Sequence, residues 1–279
     1  MELLYALLSA LPFDWLQHGF MKNAFLAVLL VTPLFGLLST MVVSNRMAFF
    51  SDSLGHGAFT GLAVGVLLGW LSPLLSLVAF SVVFALLITY IKNRSSASTD
   101  TIIGVFSSTG IALGLMLMSR GGGFSKFSPL LIGDILSITP SDLAGLLAVD
   151  LLVVLVWAVL FNHLLLLSVN PSLAHSRGIS VVRIEATFAA LLAVVVAVSI
   201  QWVGILIINA LLVLPGAAAR NVARSVKEYH LIAILTALVA GIVGLFSAYY
   251  LGIAAGAAIV AAAALIFFLS LALRTRVQR

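Results

Sequence analysis

The sequence predicts an all-α, polytopic membrane protein with about eight to nine transmembrane helices in one bundle. Only 8% of its 279 residues are charged, 63% are hydrophobic, and the mean hydropathy is +1.26. Soluble domains carry roughly a quarter charged residues. Apolar runs of about 18 residues or more recur along the chain, and each is long enough to cross a bilayer as a helix. These runs are too long and too uniformly apolar for the alternating strands of an outer-membrane barrel.

Nine spans are expected from the ends of the apolar runs. The most ambiguous boundary is SIQWVG at 199–204, where the chain either turns back near Gln201 or continues as one tilted helix. We favour the turn, because residues 184–219 exceed the roughly 20 residues that one crossing needs. The expected spans lie near 24–44, 52–69, 73–91, 101–118, 143–165, 184–200, 203–219, 231–249 and 252–272.

The basic residues predict an orientation for these spans. If the C-terminus is cytoplasmic, nine spans put the N-terminus outside, and eleven of the 14 Lys and Arg residues then lie on the inner side. Such a bias is typical of cytoplasmic loops, and merging the two central spans would remove it. The inner residues are Arg46, Lys92, Arg94, Arg177, Arg183, Arg220, Arg224, Lys227, Arg274, Arg276 and Arg279, and the outer ones are Lys22, Arg120 and Lys126.

The first 20 residues are expected to form an N-terminal interfacial segment, followed by one transmembrane domain over 21–279. The segment lacks the basic start of a signal peptide and carries Glu2 and Asp14. Trp15 is expected near the lipid headgroups, where amphipathic aromatic side chains are favoured.

The stretch FSDSLGHGAFTG at 50–61 places two ionisable residues, Asp52 and His56, inside an otherwise apolar span. On a helix, residues four apart lie about 40° apart around the axis and about 6 Å apart along it, so the two side chains share a face. A carboxylate and an imidazole on one face can bind the same Zn²⁺ or Mn²⁺ ion. Ionisable groups within a membrane span are costly and by default mark a substrate pathway.

A second interpretation of the same stretch stays open. Ser51, Asp52 and Ser53 are all residue types that cap helix N-termini, so in this interpretation Asp52 only starts the helix and His56 is a packing residue.

Three glycines bear on this choice. Gly57, Gly61 and Gly65 repeat every four residues and form a stripe that lets another helix approach closely. We therefore expect the face of Asp52 and His56 to point towards a packed interior. Two ligands still make an incomplete metal site, which needs water, other helices or a second subunit to complete it.

The segment NRMAFFSDSLGHGAFTGLAVG at 45–65 resembles the signature of the ZnuB-like permease subunits of bacterial zinc/manganese ABC importers. In that family a basic residue and methionine precede the form G-D-[AST]-[LI]-[SA]-H-[AS]. Three further blocks match in the family's order, so the resemblance runs from about residue 20 to the C-terminus. They are LIGDILSITPSDL at 131–143, NPSLAHSRGIS at 170–180 and VGILIINALLVLPGAAAR at 203–220.

The resemblance implies a transmembrane subunit, not itself an enzyme, that imports Zn²⁺ or Mn²⁺ across the bacterial inner membrane. An extracytoplasmic binding protein would deliver the metal, a separate ATPase would bind and hydrolyse ATP, and two permease chains would form a dimer around a cleft. The family's intramembrane Asp and His map onto Asp52 and His56. This sequence departs from the signature at Ser51, which replaces the glycine before Asp, and at Gly55 before His56.

By the same resemblance, LPGAAARNVARSVKEYH at 214–230 is the first candidate for the helix that contacts the ATPase. Pro215 and Gly216 are expected to break the span, and a short basic helix would follow with Arg220 and Arg224 on one face. An ordinary positive-inside loop explains the same charges. The loop at 170–183 is a second, weaker candidate on the same side.

The sequence also limits the alternatives. It contains no G-x-x-x-x-G-K-[ST] phosphate loop, so we expect no cofactor on this chain and ATP only on a partner. An ion-coupled secondary transporter or channel would use the same Asp/His pair without an ATPase. An intramembrane hydrolase is disfavoured, because neither H-E-x-x-H nor G-x-S-x-G occurs.

Overall fold

The computed structural model describes residues 2–9, 12–69, 72–120 and 134–277, and those residues are helical without strands. Two short 3₁₀ turns, Asp14–Gln17 and Ile135–Ser137, accompany the α-helices. The α-helices are α1 Glu2–Ser9, α2 Gly19–Ser44, α3 Ala48–Leu68, α4 Pro73–Lys92, α5 Thr99–Arg120, α6 Pro140–Val169, α7 Pro171–Ser176, α8 Val181–Val203, α9 Ile205–Val222, α10 Val226–Leu251 and α11 Ala255–Val277.

Nine long helices of the described ranges, all except α1 and α7, coincide with the nine expected spans. Among the described residues, seven of these helices are long and apolar enough to cross a membrane. Helix α9 has a shorter apolar stretch at 207–222. The polytopic helical fold is confirmed. Lys126 and Arg279, assigned to the outer and inner sides from charge, lie outside the described residues, as does the start of the matching block at 131–143.

The ambiguous boundary at 199–204 is a break between two helices. Gly204 separates α8 from α9 with a φ of 82°, a left-handed conformation that glycine adopts without steric cost. The alternative of one continuous tilted helix is therefore wrong, and the break lies at Gly204, after the expected Gln201. That the chain reverses direction across the membrane here stays a prediction.

The helices belong to two compact units. The first unit comprises residues 1–40, 132–152 and 202–279. Its helices approach closely at glycines: a methyl group added at Gly36 of α2 would lie 2.8 Å from the Cα of Ile234 in α10, and one at Gly216 of α9 would lie 2.5 Å from the carbonyl oxygen of Ser39. The backbones of α2, α9 and α10 are therefore in near-direct contact at these points.

The N-terminal segment packs within the first unit. Trp15 is only 4% exposed, and its ring lies edge-on to Phe25 at 5.4 Å between ring centroids. Trp15 therefore contacts protein, whereas the sequence suggested a ring at the headgroups. The interfacial position of residues 1–20 stays a prediction.

The second unit comprises residues 41–131 and 153–201, with α3 packed against α4 and α5. The glycine stripe of α3 faces α4, where a side chain stands against each glycine. A methyl group at Gly61, for example, would lie 2.7 Å from the Cβ of Phe80. The pairs are Gly57 with Phe84, Gly61 with Phe80 and Gly65 with Ser76. The predicted close helix approach is confirmed, and α4 is the helix that makes it.

Candidate metal-transit site

The start of α3 decides between the two interpretations of Asp52. A tight turn, with Arg46 at φ 56° and the Met47 amide bonded to the carbonyl of Val42 at 2.8 Å, leads directly into Ala48. Met47 is the N-cap and makes no side-chain cap bond. Asp52 therefore lies in the second turn of an established helix, and the interpretation that it caps the helix is wrong.

The neighbouring serines do not cap the helix either. The Ser51 hydroxyl donates to the carbonyl of Ala48 at 2.7 Å, and the Ser53 hydroxyl donates to that of Phe50 at 2.8 Å. Both serines are fully buried, and these bonds within the helix satisfy their hydroxyl groups there.

Asp52 and His56 lie on one face of α3, as their spacing predicts. The Nε2 atom of His56 is 3.6 Å from the Oδ2 atom of Asp52. An oxygen and a nitrogen this close can both bind one divalent cation after a small rotamer change.

The same face is not buried within the single chain. The side chain of Asp52 is 48% exposed and that of His56 is 32% exposed. The expectation of a packed interior is corrected, because Gly57 lies about 100° around the helix from His56 and faces α4. Burial of the glycine stripe thus does not extend to the pair.

On the α5 side, α3 is fixed by a hydrogen bond. The Thr60 hydroxyl, which is buried, donates to the carbonyl of Gly110. Two helices therefore hold α3 and leave the Asp52/His56 face open.

Among the described residues, no group of three or more His, Asp or Glu side chains is placed to hold a metal ion. Asp52 and His56 form a group of two.

The expected ATPase-contact segment has a different structure from the prediction. Pro215 and Gly216 lie inside α9, which continues to Val222, and both are buried. Arg220 is in the last turn of α9, whereas Arg224 lies beyond its end, so the two are not on one helix face. The predicted break and short basic helix are wrong, because close packing of Gly216 on α2 favours continuing the helix past the proline.

The connection from α9 to α10 is instead a capped turn. The Ser225 hydroxyl accepts from the Glu228 amide at 3.2 Å, and the Glu228 carboxylate accepts from the Arg224 amide at 2.8 Å. This reciprocal arrangement is close to a capping box and starts α10 sharply.

The second candidate, 170–183, forms the short helix α7. Asn170 caps its start by accepting from the Leu173 amide at 3.1 Å, and Gly178 follows its end with a φ of 75°. Every residue of α7 except Ala174 is exposed. It is a capped and exposed element.

Sequence reasoning missed a polar cluster in the second unit. The Lys92 ammonium at the end of α4 lies 2.9 Å from the carboxylate of Glu185 near the start of α8. The two residues are far apart in sequence, so no short-range spacing reveals the pair. The available signal was Glu185, an acidic residue near the start of an apolar span.

Comparison with known proteins agrees with this architecture. The ABC 3 transport family matches residues 17–274. The manganese import system permease protein ScaB of Streptococcus gordonii is 32% identical over 251 residues, 90% of each chain. The high-affinity zinc uptake system membrane protein ZnuB of Haemophilus influenzae is 31% identical over 241 residues, 86% of this chain and 92% of that protein.

A solved structure, PsaBC from Streptococcus pneumoniae in complex with Fab, contains a chain of the same fold. Its TM-score is 0.81 at 30% identity, covering 92% of this chain and 93% of that one. With a family match over nearly its whole length, this chain belongs to the ABC 3 transport family.

Proposed function

We propose that this chain is the membrane permease subunit of an ATP-driven importer of Zn²⁺ or Mn²⁺. The observation that carries the proposal is membership of a transport family over residues 17–274, joined to an Asp–His pair on one face of α3. Relatives that share about 30% of their residues are named as manganese and zinc import components. The chain is a transport component, and hydrolysis of ATP belongs to a separate subunit.

Asp52 and His56 are the proposed transit site for the metal. Their oxygen and nitrogen ligands suit both Zn²⁺ and Mn²⁺, so geometry and availability decide between the two. A site with four fixed protein ligands would release its metal slowly. Two ligands per chain leave positions for water and allow release.

The exposure of the pair supports a homodimer as the transport unit. A half-exposed carboxylate facing lipid would be costly, so protein or water is expected to cover this face. A two-fold-related copy presents the same face in return, because a two-fold interface is self-complementary. Two Asp–His pairs would then line one cleft.

The partners follow from the same proposal. An extracytoplasmic binding protein delivers metal at the outer side, and the ATPase binds at the cytoplasmic side together with the C-terminus. For the ATPase contact we favour the exposed α7 over the segment 214–230, since Pro215 and Gly216 are buried within α9 and the expected short basic helix is absent there.

The test is metal uptake in cells that carry this chain with its ATPase and binding protein. Zn²⁺ and Mn²⁺ are measured separately, with and without the ATPase. We expect uptake of one or both metals, and its loss when the ATPase is omitted. Uptake by this chain alone would overturn the proposal in favour of an ion-coupled secondary transporter or channel.

A further inference from the structure

Both oxygens of the Glu185 carboxylate bind the end of α4. Oε1 accepts from the Lys92 ammonium at 2.9 Å, and Oε2 accepts from the side-chain amide of Asn93 at 3.3 Å. The Lys92 and Glu185 side chains are 27% and 19% exposed, so water screens this contact less than it screens a surface ion pair.

The contact reaches the backbone of α4 and not only a flexible lysine. Asn93 is the C-cap of α4, and its side-chain amide also donates to the carbonyl of Thr89 at 2.9 Å. Glu185 is thereby joined to the last turn of the helix. A shift of Glu185 therefore displaces the end of α4, and not only the lysine side chain.

A cavity of about 350 Å³ lies beside this contact. Its presence leaves room for the helix ends to move relative to each other. Its lining comes from the ends of four helices of the second unit and the turn before α3: Asn45, Arg46, Met47, Phe50, Thr89, Lys92, Thr99, Asp100, Ile103 and Glu185.

On one side, Glu185 is linked to the exposed helix α7. Only residues 177–180 separate α7 from α8, and Glu185 lies in the second turn of α8. A partner that moves α7 therefore pulls on Glu185 through a few residues of chain.

On the other side, α4 is packed on the helix that carries the metal ligands. Phe84, Phe80 and Ser76 of α4 stand so close to the glycine stripe of α3 that a methyl group added at any of its three glycines would lie 2.3–2.7 Å from one of them. Because the glycines leave no side chains to absorb a displacement, a shift of α4 transfers to α3 and to Asp52 and His56.

We propose that Glu185, through Lys92 and Asn93, is the positioning residue that transmits movement of the α7–α8 segment to α3 and its metal ligands. The inference rests on the proposed function, since it assigns a route between the ATPase contact and the transit site.

The experiment uses the complete transporter in liposomes and measures metal taken up and ATP hydrolysed in the same preparation. Glu185→Gln and Lys92→Met each remove one charge, and K92E combined with E185K restores an ion pair in the opposite sense. Asp100→Asn is the matched control, because Asp100 lines the same cavity and makes no ion pair among the described residues.

We expect the ratio of metal transported to ATP hydrolysed to fall by about tenfold in each single variant, a change typical of lost coupling between sites. The reversed pair should recover most of that ratio, and Asp100→Asn should keep it. A purely structural role would instead lower both activities together and leave the ratio unchanged, and that result would overturn the inference.

The outcomes of this experiment also distinguish failure of this inference from failure of the proposed function. If the unmodified transporter takes up no metal, the proposed function fails first. If it transports metal with ATP and the single variants keep the normal ratio, only the inference fails. If Glu185→Gln does not insert, the Lys92→Met variant and the reversed pair decide by the same criterion.

Discussion

Two segments of the chain place ionisable residues four apart, Asp52 and His56 in α3 and Arg220 and Arg224 at the end of α9, and only the first pair shares a helix face. Asp52 and His56 both lie within α3, and their side chains approach to 3.6 Å. Arg220 lies in α9, but the helix ends at Val222, before Arg224. Spacing of four residues therefore predicts a common face only when one helix covers both positions. The position of the helix end therefore decides whether two residues at this spacing share a face.

Loss of the proposed metal ligands is the largest effect that we expect. Asp52→Asn and His56→Gln should each lower metal uptake by at least about 100-fold, because even outer-shell changes at metal sites cost up to that much. Uptake by the complete transporter, corrected for the amount of chain in the membrane, is the measurement.

His163→Gln is the control for that experiment. His163 is a histidine of α6 outside the Asp52/His56 pair, so uptake should stay normal. Normal uptake in the Asp52 and His56 variants would show that the pair has no role in metal transit. The shared helix face of α3 would then have no functional meaning.

The second largest effect concerns the glycines of the two helices. An alanine at Gly216 of α9 would place its Cβ 2.5 Å from a backbone oxygen, whereas at Gly57 of α3 it would meet the ring of Phe84 at 2.6 Å. A backbone atom yields less than a side chain, so Gly216→Ala should destabilise more, by about 1–3 kcal/mol.

Thermal unfolding in detergent measures this difference. Gly104→Ala in α5 is the control, because no atom lies within 4 Å of the added Cβ, and it should be neutral or stabilising. Equal losses at Gly57, Gly104 and Gly216 would mean that close packing does not decide the role of these glycines.

The glycines also show what the sequence could and could not predict. The spacing of four residues between Gly57, Gly61 and Gly65 predicted a close helix contact, which the structure confirms with α4 as the partner. The single Gly216 next to Pro215 indicated a break, yet it is a contact with α2. Local pattern predicts helix spans well, since apolar length is a property of one segment. It does not identify partners such as Lys92 and Glu185, which only the fold brings together.

A smaller effect is expected at the turn that separates Arg220 from Arg224. Ser225→Ala removes the acceptor for the Glu228 amide and should destabilise the start of α10 by about 1 kcal/mol. Ser247→Ala in the interior of α10, where the hydroxyl only donates to its own helix, is the control. A loss at Ser225 no greater than at Ser247 would contradict the capped turn between α9 and α10.

The smallest perturbation tests the end of α9 directly. The chain has no cysteine, so single cysteines at Pro215, Arg220 and Arg224 can be labelled without background. A water-soluble maleimide should react quickly at positions 220 and 224, which are exposed, and slowly at the buried position 215. Added ATPase should slow labelling at 220 or 224 if this turn is part of its contact surface. Fast labelling at 215 would restore the break at Pro215 that the sequence indicated, and with it the short basic helix carrying both arginines on one face.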